Sequence, residues 1–531
     1  MLEVLEATQI WSRGISNASM IYAALTGLTA HLCIFIHGEW HLKAPLVLVT
    51  HVLMAAALST LTSVGYCATI FASYLTTLFS SIIIYRLFFH RLRHFKGPRL
   101  AAASKLWHVF NTLDSKNFRL LDNLHKKYGN FVRTGPAEIT AFHPMATVWL
   151  DSTKNELTKT DWYDMVLPRT STIFTRDEDE HTARRRLWDH ALSVKSTNNI
   201  HIPRTLHHIK GLHEFIEKAN REPILVNDMM AWYTFDAMGD LVYGQDFDML
   251  ETSKWRPVVK QQQRALALLA PINDTIWIVR LAFAFAPFYG KIREFFKIID
   301  FCDQRMAERI QRSLKERKAL LSSNAVPAVI AGSLTKIATT NPALTAVSYF
   351  LAKNPKDAEK VYQELQSIDV TDSKALANLP HLNGVINETL RLFPPAMTIN
   401  TRLTPYQGLW FDDTFIPGGI RVVAPKYTIM RSSEAFEDGD SFIPERWYSR
   451  PEMVRIRAAF APFGSGHRQC AGKHLALVQL RLVISSIVQK YILEFPPGFD
   501  AESVEKNLKD QVTCRPGACW VVYKPRVSEM K

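Results

Sequence analysis

The chain has 531 residues, 47% of them hydrophobic, with a formal net charge of +13 at pH 7. No Gly/Ser- or Pro-rich linker divides it after the N-terminal region, so one large domain behind an anchor is the simplest organisation. The positive balance points to an acidic partner or an anionic membrane surface. A nucleic-acid partner is excluded, because no Lys/Arg run is interleaved with aromatics as a binding groove requires. Cys33, Cys67, Cys302, Cys470, Cys514 and Cys519 are scattered along the chain, which excludes a secreted disulfide framework and places the globular part in a reducing compartment.

In chain order the anchor comes first. Residues 15–36 and 44–85 contain no Asp, Glu, Lys or Arg, and the second run is long enough for two spans parted near Ser63-Val64-Gly65. The expectation is three membrane helices, at 15–36, 44–62 and 67–85, within an N-terminal membrane region 1–95. A single span with buried helices is the alternative. A cleaved signal peptide fits poorly, because the apolar stretches are too long and too many. Arg86, Arg91, Arg93, Lys96 and Arg99 follow with no acidic residue among them, so the positive-inside bias puts residues 96–531 in the cytosol. Gly97-Pro98 reads as a stiff hinge between the two parts.

Beyond the hinge, Phe118 to Tyr128 predicts an amphipathic helix that stops at Gly129. Phe131-Val132-Arg133 and Glu138-Ile139-Thr140 predict a strand pair around Gly135-Pro136. In His181-Thr182-Ala183-Arg184-Arg185-Arg186-Leu187-Trp188, His181 and Arg185 are four apart on a predicted helix and can donate to one anionic group. Arg184 and Arg186 read equally well as part of a solvated basic face. Ile292 to Leu321 predicts one or two basic helices, and Trp520-Val521-Val522-Tyr523 a strand.

Glu388 and Arg391, in Asn387-Glu388-Thr389-Leu390-Arg391-Leu392-Phe393-Pro394-Pro395, are three apart on a segment that reads as helical until Pro394, so they can pair on one face. Phe442-Ile443-Pro444-Glu445-Arg446-Trp447 follows. In Phe463-Gly464-Ser465-Gly466-His467-Arg468-Gln469-Cys470-Ala471-Gly472 a single cysteine sits in a glycine-rich loop with an arginine two residues upstream, which favours its thiolate. Zinc is disfavoured there: His467 and His474 flank Cys470, but no second Cys or His stands at ligand spacing. Taken together, in this order and spacing, these elements resemble the cytochrome P450 (haem-thiolate) superfamily, with phrasing such as Phe415-Ile416-Pro417-Gly418-Gly419 similar to fungal microsomal members of secondary metabolism.

The resemblance covers about Pro98 to Pro525 and implies a mainly α fold with small β-sheets, a single haem domain over residues 96–531. It makes Cys470 the axial ligand of haem b iron, with Phe463 shielding the sulfur and Gly466 and Gly472 shaping the loop. Arg468, His181, Arg185 and Arg402 become haem-propionate donors, and Glu388, Arg391 and Arg446 a buried cluster behind the haem loop. The region from Pro203 to Pro287 is where the family places its substrate-entry helices. Ala331-Gly332-Ser333-Leu334-Thr335 resembles the distal helix, with Thr335 as the catalytic hydroxyl, although Leu334 stands where the family has an acid. The stretch from there through Thr339-Thr340-Asn341-Pro342 to Pro355 is longer than the family pattern by about one turn.

The implied activity is oxidation or hydroxylation of an apolar small molecule, a terpenoid, alkaloid or polyketide, by dioxygen at the endoplasmic reticulum membrane. NADPH acts indirectly, through cytochrome P450 reductase, with cytochrome b5 as a second candidate donor. The alternatives are a haem-thiolate enzyme that rearranges, dehydrates or isomerises its substrate without activating dioxygen, and a haem-binding membrane protein without catalysis.

Overall fold

The computed structural model describes residues 17–272, 274–315 and 326–526, with the side chains of 313–338 outside the described set. It opens with three helices long and apolar enough to cross a membrane, α1 (Asn17–Phe35), α2 (Ala44–Leu61) and α3 (Val64–Phe89). The break between α2 and α3 shrinks to two residues, because the Ser63 side chain caps α3 by accepting from Tyr66 N. The third helix therefore starts three residues before the expected span. Ser73 Oγ donates to Met20 O (2.9 Å) and His31 Nδ1 lies 2.7 Å from Ser81 Oγ, so α1 and α3 run parallel. His51 Nε2 meets Tyr74 OH at 3.0 Å across α2 and α3, which run antiparallel. Gly27 permits the close crossing: a Cβ there would stand 2.4 Å from Tyr74 O.

The expected hinge is a fixed junction. Arg133 donates to Arg86 O at the end of α3 and to Pro136 O, and its backbone N donates to Lys96 O. A Cβ on Gly97 would stand 2.3 Å from Arg133 O. Glycine is required there for close approach rather than for bending.

The globular part is mainly helical. Helix α4 (Asn117–Tyr128) buries Phe118, Leu121 and Leu124 at helical spacing and ends at Gly129, φ +92°. Strands β1 (Phe131–Gly135) and β2 (Glu138–Ala141) pair antiparallel as expected. Helix α5 (Glu178–Ala191) is capped by Asp177, with Glu178, Asp179 and Glu180 in its first turn, where acids complement the helix dipole. Then come α6 (Ile202–Lys218), β3 (Ile224–Leu225), α7 (Val226–Tyr243), α8 (Arg256–Ile272), α9 (Ile276–Phe285) and α10 (Gly290–Lys315). Helix α11 (Val326–Lys353) continues through Pro342.

The C-terminal half holds α12 (Pro355–Leu365), α13 (Pro380–Leu392), β4 (Thr401–Leu403), β5 (Leu409–Phe411), β6 (Thr414–Ile416), β7 (Arg421–Val423), α14 (Lys473–Lys490), β8 (Tyr491–Glu494), β9 (Lys509–Gln511), β10 (Thr513–Arg515) and β11 (Trp520–Pro525). The sheets are small, ordered β1-β2-β7-β4, β3-β11-β8, β9-β10 and β5-β6. The main core lies where α7, α11, α13 and α14 meet, with Tyr233, Leu344, Val347, Val385, Leu390, Val483 and Ile487 buried together. Helix α14 is buried on every face from Leu482 to Val488 because it runs through this core.

Candidate functional site

Cys470 sits at the end of the loop that leads into α14 and opens onto a cavity of about 370 Å³. Its backbone N donates to Phe463 O at 2.8 Å, closing the loop on itself. Two glycines make the turn possible, Gly464 (φ +73°) and Gly466 (φ +60°), and a Cβ on Gly466 would stand 2.2 Å from Asp151 O. Gly472 has an ordinary φ of −88° and serves as the N-cap of α14, where it lines the cavity. Phe463, Arg468, His181, Arg185 and Arg402 line the same cavity.

The wall is strongly basic. Lys159, His181, Arg185, Arg402, Lys426 and Arg468 face Asp151, the one carboxylate among the described lining residues. Arg402 donates to Tyr163 OH (2.7 Å) and Asp151 Oδ1 (2.8 Å). Arg468 pairs with Glu178, and Arg185 donates to Gln469 O (2.6 Å). Arg402 Nε and Arg468 Nη1 are buried without a partner. The cations repel one another. Burial, Arg468 and Arg402 push Lys159 down to about 7, although its ammonium reaches Thr172, Ile173 and Thr175 carbonyls. Burial, Lys159 and Arg468 push His181 down to about 4. A cavity with excess positive charge and orphaned guanidinium donors is built for an anionic guest.

Arg184 and Arg186 are not part of this wall: Arg184 turns to Glu180 and Thr170, and Arg186 is exposed. Sequence reasoning missed Asp151, Lys159, Tyr163 and Lys426, which carry no local pattern and meet only in the fold.

Across the cavity lies α11. The side chain of Thr335, the expected catalytic hydroxyl, lies outside the described residues, as does that of Leu334. The described α11 residues that line the cavity are Thr339, Thr340 and Ala343. They stand about one turn beyond Thr335 in the sequence. In this register too no acid precedes the threonines, since residue 338 is alanine.

Behind the loop Glu388, fully buried, accepts from Arg391 Nε and Nη2 (2.9 and 2.8 Å), Arg446 Nε (2.9 Å), Trp447 Nε1 (2.9 Å) and Ile443 N (3.0 Å). The guanidiniums continue outward to the carbonyls of Met430, Gly439, Ser441 and Glu437. The cluster therefore fastens α13 to the irregular chain that leads toward Cys470. Trp447 and the Ile443 amide were not expected in it.

Haem fits this site. Cys470 places its sulfur on a loop open to the cavity, and the unpartnered guanidinium donors suit two propionates. Comparison with known proteins agrees. The family model described as Cytochrome P450 matches residues 98–325 and 329–518. The cytochrome P450 monooxygenase notG′ of Aspergillus versicolor is 31% identical, over 93% of this chain and 96% of its own length. Cytochrome P450 monooxygenase sthD of Phaeosphaeria nodorum is 33% identical, over 83% and 96%. Tryprostatin B 6-hydroxylase of Aspergillus fumigatus is 31% identical, over 90% and 91%. Among solved structures, the haem domain of cytochrome P450DA superposes with a TM-score of 0.64 at 18% identity, covering 79% of this chain and 95% of that one, which speaks for the fold alone. The chain belongs to the cytochrome P450 family and is a monooxygenase of that family.

Proposed function

We propose that this monooxygenase is membrane-bound and inserts one oxygen atom from dioxygen into an apolar small molecule of fungal secondary metabolism, a terpenoid, alkaloid or polyketide. Electrons come from NADPH through cytochrome P450 reductase, with cytochrome b5 as a second donor. The observation that carries this reading is a cavity shared by the Cys470 loop, a basic wall and two hydroxyl-bearing residues of α11. Haem held at Cys470 would supply the oxygen chemistry, because a thiolate ligand donates electron density that favours O–O cleavage.

The chain's own residues do the rest. Arg402, Arg468, Arg185, His181 and Lys159, which line the cavity, would hold the propionates. Glu388, Arg391 and Arg446 brace the stretch that leads to the loop. Ile173, Met238, Ala343, Leu390 and Ile399 give the cavity an apolar lining, which excludes water and accepts an apolar substrate. Thr339 and Thr340 bring hydroxyl-bearing side chains to the cavity, and with alanine at residue 338 a proton would pass there through threonine and water. Their presence in the cavity favours oxygen activation over the reductant-independent alternative.

The anchor reading is that α1, α2 and α3 cross the membrane within residues 1–95, leaving residues 96–531 on the cytosolic face of the endoplasmic reticulum. The alternating directions of the three helices put the α1–α2 loop and the end of α3 on one side. Polar groups inside the bundle are paired across helices, as a lipid environment demands.

Turnover with reductase, NADPH and isotopically labelled dioxygen tests the reading. One labelled atom in the product, with NADPH consumed in step, supports it; turnover without reductant would favour the alternative.

A further inference from the structure

The loop between α1 and α2 does not hang free. It meets the segment that forms one wall of the cofactor cavity. Arg176 grips Glu39 through both guanidinium nitrogens, Nη1 to Oε2 at 2.7 Å and Nη2 to Oε1 at 3.0 Å. The same Nη1 lies 2.7 Å from Asp164 Oδ2, which also takes His41 Nε2 at 2.8 Å. His41 and Asp164 are both buried. Between the two gripped positions the chain supplies Ser171, Thr172 and Ile173 to the cavity, and Tyr163, next to Asp164, reaches Arg402.

We propose that Glu39 and His41 are positioning residues of the active site: the α1–α2 loop clamps both ends of the segment from Asp164 to Arg176 and thereby sets the shape and opening rate of the cavity wall. The inference rests on reading this cavity as the haem and substrate site. It goes further, because it makes the N-terminal helices part of the catalytic machinery and not a tether alone.

Two bland readings are weaker. Exposed ion pairs contribute little, and Glu39 is exposed; but the fork to Arg176 is bidentate and shares its nitrogen with a buried carboxylate, a geometry that specifies position. Glu39, His41 and Asp164 also have the spacing of a metal site. Arg176 sits against both carboxylates, however, and its charge already answers theirs, so a cation is not needed. Burial alone would raise the Asp164 carboxyl, yet hydrogen bonds from His41 and Arg176 hold it below the usual carboxylate range.

A second contact points the same way. Helix α9 packs against α2. Its Ile276 and Val279 share an apolar cluster with Trp162, Tyr163 and Met165 at one end of the clamped segment, together with Leu269 of α8. The start of the clamped segment therefore leans on α2 through α9 as well as being held by His41 of the α1–α2 loop.

The test uses the full chain, haem-loaded, in lipid nanodiscs. Glu39→Ala/His41→Ala is compared with the parent and with His41→Gln, whose amide can still donate to Asp164. One readout is amide hydrogen exchange over residues 161–176. The other is the rate at which 4-phenylimidazole shifts the haem spectrum. Losing both grips is expected to speed exchange in that segment roughly tenfold and to raise the 4-phenylimidazole binding rate several-fold, with membrane retention unchanged and His41→Gln close to the parent. Unchanged exchange and binding rates in the double variant would overturn the proposal. If the double variant does not take up haem, Glu39→Gln is read in its place: a smaller increase in both rates is expected, and no increase overturns the proposal. Loss of haem binding by the parent would instead sink the cavity reading, which the exchange measurement does not depend on.

Discussion

Asp151 Oδ1 lies 2.8 Å from Arg402 Nη2, and this buried pair stands in the wall of the Cys470 cavity with five further basic groups and no second carboxylate among the described lining residues. Asp151 also accepts from Ser465 N, so one carboxylate ties the haem loop to β4. Asp151→Ala should destabilise the cofactor-free protein by about 3 to 5 kcal/mol, since it leaves Arg402 buried and unpaired. The loss should be clearly smaller after haem is added, because propionates supply the missing charge. Denaturant unfolding of both forms checks this, and equal losses would count against propionates at Arg402.

The Glu388 cluster gives a sharper stability prediction. Glu388→Ala strands two buried guanidiniums, the Trp447 indole N–H and the Ile443 amide at once. A loss of about 3 to 5 kcal/mol or more is expected, with haem occupancy falling to near zero in purified protein. Near-normal occupancy would show that α13 holds its place without the carboxylate.

A pH dependence follows from Lys159, whose folded pKa in the cofactor-free chain is about 7, lowered from 10.5 by burial, Arg468 and Arg402 while Glu178 and Glu180 oppose. A base with a depressed pKa binds fewer protons folded than unfolded, so the stability of the cofactor-free form should rise between about pH 7 and pH 10.5. Haem propionates favour the charged ammonium, so haem affinity should move the other way and fall as pH rises through 7. Haem transfer to an acceptor apoprotein across that range measures it. Lys159→Met should flatten both trends.

How far the sequence carried these assignments depended on whether a residue's partners were close in the chain. The Cys470 loop, the Glu388–Arg391 spacing and the His181–Arg185 spacing are local patterns, and each keeps its members within one turn or one loop. Asp151, Tyr163 and Lys426 reach the cavity from helices of four to six residues and Lys159 from irregular chain, segments too short for periodicity to mark an inward face. On the distal helix the local pattern Ala331-Gly332 with Thr335 is legible in the sequence but its side chains lie outside the described residues, whereas Thr339 and Thr340, one turn on, line the cavity without any such pattern to mark them. Glu39 and His41 were invisible for a different reason: their partners stand more than a hundred residues away.

The distal helix can be tested directly. If Thr339 or Thr340 carries the proton, replacing it by Ala should divert reducing equivalents into peroxide and lower product per NADPH by roughly 10²- to 10⁴-fold, the usual range for general acid assistance. Thr335→Ala, at the position to which the family resemblance gives the hydroxyl, is measured beside them. The variant with the larger loss of coupling identifies the hydroxyl on the proton path.

The most direct test of the account is the carbon monoxide difference spectrum of the reduced protein, wild type against Cys470→Ser. The wild type should show the strongly red-shifted Soret band of thiolate-ligated haem, and the variant should lack it even where haem is retained. A Cys470→Ser protein that keeps that band would contradict the assignment of Cys470, and with it the cavity on which the proposed function rests.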